Sequence, residues 1–193
     1  MTAKILFLSG STRQDSLNKT LARAATEIAK AHGASATFAD LRDFPMPLYD
    51  GDLEAESGLP EAAKDLKKLF VEHDAFFISS PEYNSSFSGV LKNSIDWISR
   101  PHEENEAFLK AFTGKVAAIG AASPGALGGL RGLVPLRMLL GNISVLVIPE
   151  QLALGNANEK FDSDGNFTDS ASQTTVTRIV KRLIGEVENR KHT

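Results

Sequence analysis

Five short apolar runs, separated by stretches of helical spacing, constrain this chain more than any other feature. They cover residues 3–9, 34–39, 75–80, 116–120 and 143–148. The run from Ala75 to Ser80 is apolar at consecutive positions, so its strand is covered on both faces, as a parallel sheet requires. Between the runs, Leu17, Leu21, Ala24, Ala25 and Ile28 share one helical face, as do Leu91, Ile95 and Ile98. The last helix is the clearest, with Val176, Ile179, Val180, Leu183, Ile184 and Val187 in an i, i+3, i+4 rhythm. Strands alternating with helices predict one α/β domain over residues 1–193, a parallel sheet with helices on both faces. Residues 40–58, holding Pro45, Pro47 and Gly51, read as a surface loop. Pro135 predicts a kink or a late start in its helix.

The composition narrows the function classes. A domain of 193 residues buries about 70% of the surface its unfolded chain exposes and needs no staple. Lys and Arg number 21 against 24 Asp and Glu, a net charge of −3, which argues against a nucleic-acid binder with its basic stripe. The chain has no cysteine, so disulfides, thiolate metal sites and cysteine nucleophiles are excluded. No apolar stretch approaches the length of about 20 residues that a spanning helix needs, so membrane insertion is not expected and a cytoplasmic location is.

Ligands of open α/β sheets bind beyond the carboxyl ends of the strands, near the switch in strand order. Three connections leave those ends and are unusually polar or glycine-rich: 10–18, 81–89 and 123–129. The first carries hydroxyls at Ser11, Thr12 and Ser16, an amide at Asn18 and a cation at Arg13, just before a helix start that favours an anion. It matches neither the ATP-type phosphate loop nor the dinucleotide glycine fingerprint. Ser16 also reads as a plain helix cap. A cap has no use for Arg13, since a cation is disfavoured at the positive end of a helix dipole. In the second connection, Tyr83 and Asn84 stand where they would flank a flat ring, or belong to an ordinary turn. The glycines of the third permit close backbone approach to a planar ligand.

The motifs Gly10-Ser-x-Arg-x-x-Ser-x-Asn18, Pro81-Glu-Tyr-Asn84 and Gly89-x-Leu-Lys-Asn-x-Ile-Asp-Trp97 together resemble the NAD(P)H-dependent FMN reductase family. That family includes quinone, chromate and azo-dye reductases, and the resemblance spans essentially the whole chain. It implies a flavodoxin-like, doubly wound five-stranded parallel sheet of order 2-1-3-4-5. It implies that Ser11, Arg13, Ser16, Leu17 and Asn18 hold the phosphate of FMN. Pro81, Glu82, Tyr83 and Asn84 would line the isoalloxazine, and Ser123 and Gly125 would lie on its other side. Ser88 stands where the family often has proline, which is expected to loosen the ring-side loop; Ser94 replaces a usual alanine.

The resemblance further implies a hydride donor, NADPH or NADH, and a small-molecule electron acceptor: free flavin, a quinone, an azo compound or chromate. The cofactor carries such chemistry, so no catalytic acid or base is expected. Arg13, with Arg100 beyond the third helix, would attract anionic substrates. Alternatives are a flavodoxin-type electron carrier, for which a charge of −3 is mild, and a flavin-binding sensor. A homodimer or homotetramer is implied, with Trp97, Phe108 and Phe112 as its expected apolar patch. The histidines at 32, 73, 102 and 192 read as surface residues, and the stretch 162–165 reads as a turn rather than a calcium loop.

Overall fold

The computed structural model describes residues 2–191. Strand β1 (Lys4–Ser9) feeds helix α1 (Leu17–Ala31), which returns the chain to β2 (Ser35–Asp40). After α2 (Gly51–Ser57) and α3 (Glu61–Glu72) comes β3 (Ala75–Ser79), then a hairpin of β4 (Glu82–Tyr83) and β5 (Ser86–Phe87). Helix α4 (Gly89–Ile98), β6 (Val116–Ala122), α5 (Leu130–Asn142), β7 (Leu146–Leu154) and α6 (Ser170–Lys191) complete the order. The large sheet runs β2-β1-β3-β6-β7, every neighbouring pair parallel. Apart from the inserted hairpin this is the expected 2-1-3-4-5 order, and the sequence of strands reverses between β1 and β3.

Two hydrophobic layers cover the sheet. On one face Ile5, Phe7 and Phe77 pack against Leu21 and Ala25 of α1 and Val176, Ile179 and Leu183 of α6. On the other, Leu6, Leu8, Phe76 and Ile78 meet Leu66 and Phe70 of α3, Leu91 and Ile95 of α4 and Leu133 and Leu136 of α5. The alternation of side chains along β1 sends odd residues one way and even residues the other, which makes the run apolar throughout.

Several expectations need correction. The 40–58 stretch is not all loop: Leu41–Asp43 forms a 3-10 turn and Gly51–Ser57 a helix. Asp50 caps that helix, accepting from the N–H groups of Asp52 at 2.8 Å and Leu53 at 3.4 Å. The strand expected at 143–148 lies at Leu146–Leu154 instead and runs through Pro149. Being at the sheet edge, it tolerates the missing donor, with a register shift opposite Ala117 and Ile119. Arg137 serves the carbonyls there, reaching Ile148 O at 2.8 Å. Helix α5 starts at Leu130 and passes through Pro135, so there is no late start.

His73 is buried, not a surface residue. Its Nδ1 lies 2.7 Å from Leu69 O, which can only accept, so Nδ1 donates and Nε2 faces Thr37 Oγ1 at 2.8 Å. His192 lies outside the described residues. The 162–165 stretch is a turn, Asp162 accepting from the N–H groups of Asp164 and Asn166 at 2.9 Å each.

Candidate functional site

The connections after β1, β3 and β6 meet at the carboxyl ends of the strands and are bonded to one another. Gly10 N–H donates to Ser79 O at 2.8 Å, and Ser80 N–H donates to Gly120 O at 2.9 Å. A side chain at Gly10 would press within about 3.1 Å of Ser80 Oγ, Ser88 Oγ and Leu91, so glycine is what lets the first turn nest on the second.

In the first turn, Ser11 is buried and its Oγ accepts from Arg13 N–H at 3.3 Å. Ser16 caps α1, its Oγ accepting from Lys19 N–H at 3.4 Å, so the capping reading holds while the hydroxyl proton stays free to donate. Leu17 packs on the α1–α6 layer and anchors the turn. Among the described residues, the backbone N–H groups of Thr12, Gln14, Asp15, Ser16, Leu17 and Asn18 meet no acceptor. The guanidinium of Arg13 is exposed and likewise makes no bond. This is a cradle of donors at a helix N-terminus, the chemistry a phosphate group needs.

The Asn18 side chain is engaged within the protein. Its buried amide faces the sheet: Nδ2 donates to Ala122 O at 2.9 Å, and Oδ1 accepts from Ala122 N–H and from Ser79 Oγ at 2.9 Å each. Only its backbone N–H is left for an anion. The side chain instead bolts α1 across the ends of β3 and β6, which no local sequence signal announces.

The second connection rises as the hairpin β4–β5. Asn84 and Ser85 have φ of 51° and 65°, the left-handed pair of a two-residue turn whose twist matches the strands. Tyr83 and Asn84 are exposed at its tip and Pro81 is half-buried at its base. Glu82 does not offer its carboxylate to a ring. It clasps the start of α5, accepting from Arg131 Nε at 2.8 Å, Arg131 N–H at 3.1 Å and Gly132 N–H at 3.4 Å. Only the backbone of Glu82 is left for a ring.

Ser88 tightens the ring-side loop rather than loosening it. It is buried, caps α4 by accepting from Leu91 N–H at 3.3 Å, and donates to Gly10 O at 2.5 Å. In the third connection Ser123 Oγ accepts from Gly125 N–H at 3.2 Å, shaping an exposed turn at Gly125. Gly128 approaches backbone of its own chain: at φ 60°, a side chain there would meet Ala153 C at 2.5 Å.

Arg100 is not available to substrates as expected, since its Nε holds the Glu54 carboxylate at 2.9 Å. Trp97 and Phe112 are fully buried, so neither contributes to a surface patch. A cleft of about 460 Å³ between α1 and the turn at 163–167 is lined by none of these residues.

The fit to FMN is good on geometry alone: unpaired donors for a phosphate, and exposed Tyr83, Asn84 and Gly125 on two turns beside it. Comparison with known proteins agrees. The chain is 34% identical, over 93% of its length and 92% of the relative, to an NAD(P)H-dependent FMN reductase of Pseudomonas aeruginosa. It is 30% identical, over 99% of its length and 100% of the relative, to a 2-hydroxy-1,4-benzoquinone reductase of Burkholderia sp. A solved NAD(P)H:(acceptor) oxidoreductase flavoenzyme of Paracoccus denitrificans superposes with a TM-score of 0.80 at 28% identity, covering 97% of this chain and 98% of that one. An archaeal flavodoxin shares the fold, with a TM-score of 0.61 at 9% identity. The pattern described as NADPH-dependent FMN reductase matches residues 3–159, and the chain belongs to that family.

Proposed function

We propose that this protein is an NAD(P)H-dependent, FMN-containing reductase that passes electrons to small acceptors of the flavin, quinone, azo or chromate type. The carrying observation is the set of unpaired N–H groups of Thr12 and of residues 14–18 beside the free Arg13 guanidinium, at the β1/β3 switch point. On this reading Ser11, Arg13, Ser16 and the backbone of Leu17 and Asn18 hold the phosphate. Pro81, Tyr83, Asn84 and the backbone of Glu82 line one side of the ring, and Ser123 and Gly125 the other. Bound FMN supplies the exchange of a hydride for electrons. The protein's part is to orient the ring against the hairpin, fix its phosphate and leave one side open to donor and acceptor in turn. The exposed hairpin tip supports such an open site.

A carrier without turnover is disfavoured: the charge is only −3, and relatives are named for reduction of flavin and quinones. No helix among the described residues is long and apolar enough to cross a membrane. A cysteine-free chain also gains nothing from an oxidising compartment, which supports the cytoplasmic placement.

Self-association belongs to this reading; of the expected patch only Phe108 is exposed, and a broader apolar face lies along α5. Leu127, Leu130, Val134 and Met138 form an apolar stripe along α5, between 44% and 67% exposed. The stripe continues from the Gly125 turn, so a second copy seated on it two-fold would meet its partner beside the ring.

Anaerobic titration of the purified, FMN-loaded protein tests the reading. Bleaching of the yellow colour by NADPH or NADH, and its return with a quinone, is the expected result. A protein that bleaches only with dithionite is a carrier, and one that takes up no FMN is neither.

A further inference from the structure

The turn after β2 holds Arg42, whose guanidinium is exposed and makes no ion pair or hydrogen bond among the described residues. Only its backbone N–H is engaged, on Asp40 Oδ1 at 3.0 Å. Arg42 lines two clefts that flank the phosphate turn. One, of about 360 Å³, also has Thr12 and an apolar wall that includes Phe44, Met46 and Val90. The other, of about 430 Å³, contains Gln14, Lys19, Arg23 and Asp15.

NADPH differs from NADH by one phosphate, on the 2′ oxygen of the adenosine ribose. A 2′-phosphate is best received by an unpaired arginine, whose planar fork matches phosphate oxygens, whereas a free carboxylate beside it would repel the phosphate and suit a 2′-hydroxyl. Here the carboxylate is spent. Asp40 Oδ2 lies 2.7 Å from Lys19 Nζ, an ion pair too poorly angled to be a directed hydrogen bond, and Oδ1 holds the Arg42 N–H. The Asp40 charge is offset by Lys19, so it repels an incoming phosphate less than a free carboxylate would.

The neighbouring charges point the same way. Arg23 is fixed with its guanidinium 4.0 Å over the Phe38 ring, and Arg13 stands free on the adjoining turn. Besides Asp40, the acids nearby are Asp15 and Asp43, both exposed. Thr12 and Val90 place the apolar wall between the first turn and the start of α4, in the same cleft as Arg42.

We infer that Arg42 binds the 2′-phosphate of NADPH, with Phe44, Met46 and Val90 as the surface for its adenine, and so sets a preference for NADPH over NADH. This rests on the reductase reading. Calorimetric titration of the purified protein with adenosine 2′,5′-bisphosphate and with 5′-AMP separates the two ideas. The bisphosphate binds about tenfold more tightly in the wild type, as a charge-assisted contact predicts, and Arg42→Ala abolishes the difference while Arg42→Lys keeps part of it. In turnover, the NADPH-to-NADH ratio of kcat/KM falls by the same factor in Arg42→Ala. FMN titration, unaltered in the variant, shows that it is folded. Equal binding of the two adenosine nucleotides by the wild type, or undiminished discrimination in Arg42→Ala, overturns the inference. If the protein takes up no FMN, the reductase reading falls, yet the bisphosphate titration still decides the ligand of Arg42.

Discussion

Asn18 and Ala122, 104 residues apart, exchange a pair of hydrogen bonds at 2.9 Å, amide to backbone and backbone to amide. The same Asn18 oxygen accepts from Ser79, so one side chain fastens the phosphate turn to both strands beside it. Replacing it by alanine leaves the buried Ala122 N–H and Ser79 hydroxyl without their partner. Asn18→Ala is expected to cost about 2–4 kcal/mol, each stranded group costing about 1–3. Urea unfolding measures this, and a loss below about 0.5 kcal/mol, the usual range for surface changes, would show that the sheet ends do not need the clasp.

Ser88 makes a second cross-link, from the start of α4 to the Gly10 carbonyl. Ser88→Ala removes a helix cap and leaves that carbonyl buried, a combined loss of about 1–3 kcal/mol. Weaker FMN binding should accompany the lost stability, because the first turn is no longer held against the second. Unchanged affinity alongside lower stability would assign Ser88 to folding alone.

Arg13 is exposed and unpaired, so its removal perturbs little else in the protein. Arg13→Ala is expected to weaken FMN about tenfold, the worth of one charge-assisted contact, and to leave riboflavin affinity unaltered. Fluorescence quenching of the two flavins gives the comparison. Equal losses for both would place Arg13 on the ring rather than the phosphate.

The stripe on α5 predicts that Val134→Glu, which puts a charge on a position 67% exposed in the monomer, dissociates the oligomer without unfolding the chain. Light scattering on a sizing column reads the mass. A wild type that is monomeric at every concentration tested rules the stripe out as an interface.

Asp169 sits at the start of α6, where hydrogen bonds from the Ser172 hydroxyl, Lys160 and backbone N–H groups lower its pKa to about 2. The folded value lies below the unfolded one of about 3.9, so its stabilisation is complete above pH 3.9 and fades as pH falls toward about 2. Asn also caps helices, so Asp169→Asn keeps the cap and removes the titration. Its Tm should fall less steeply than that of the wild type over this interval. Parallel curves would mean that other carboxylates govern acid unfolding.

Much of this molecule is legible along the chain because the relevant forces are local. Consecutive apolar residues such as Phe76, Phe77 and Ile78 specify a strand buried on both sides, and the spacing of Val176, Ile179 and Leu183 specifies a helix, whatever surrounds them. Hydroxyls, Arg13 and a helix start likewise declare an anion cradle within nine residues, 10–18. Where a side chain's partner is far off in sequence, nothing local predicts its use. The Asn18 amide reads as a phosphate donor until β6 supplies Ala122, the Glu82 carboxylate as a ring contact until α5 supplies Arg131, and Ser88 as a loosened position until Gly10 comes within reach. The tertiary structure alone decided which polar groups were taken by the protein's own backbone, and hence which remained for a ligand, because a hydrogen bond forms only where packing brings donor and acceptor together.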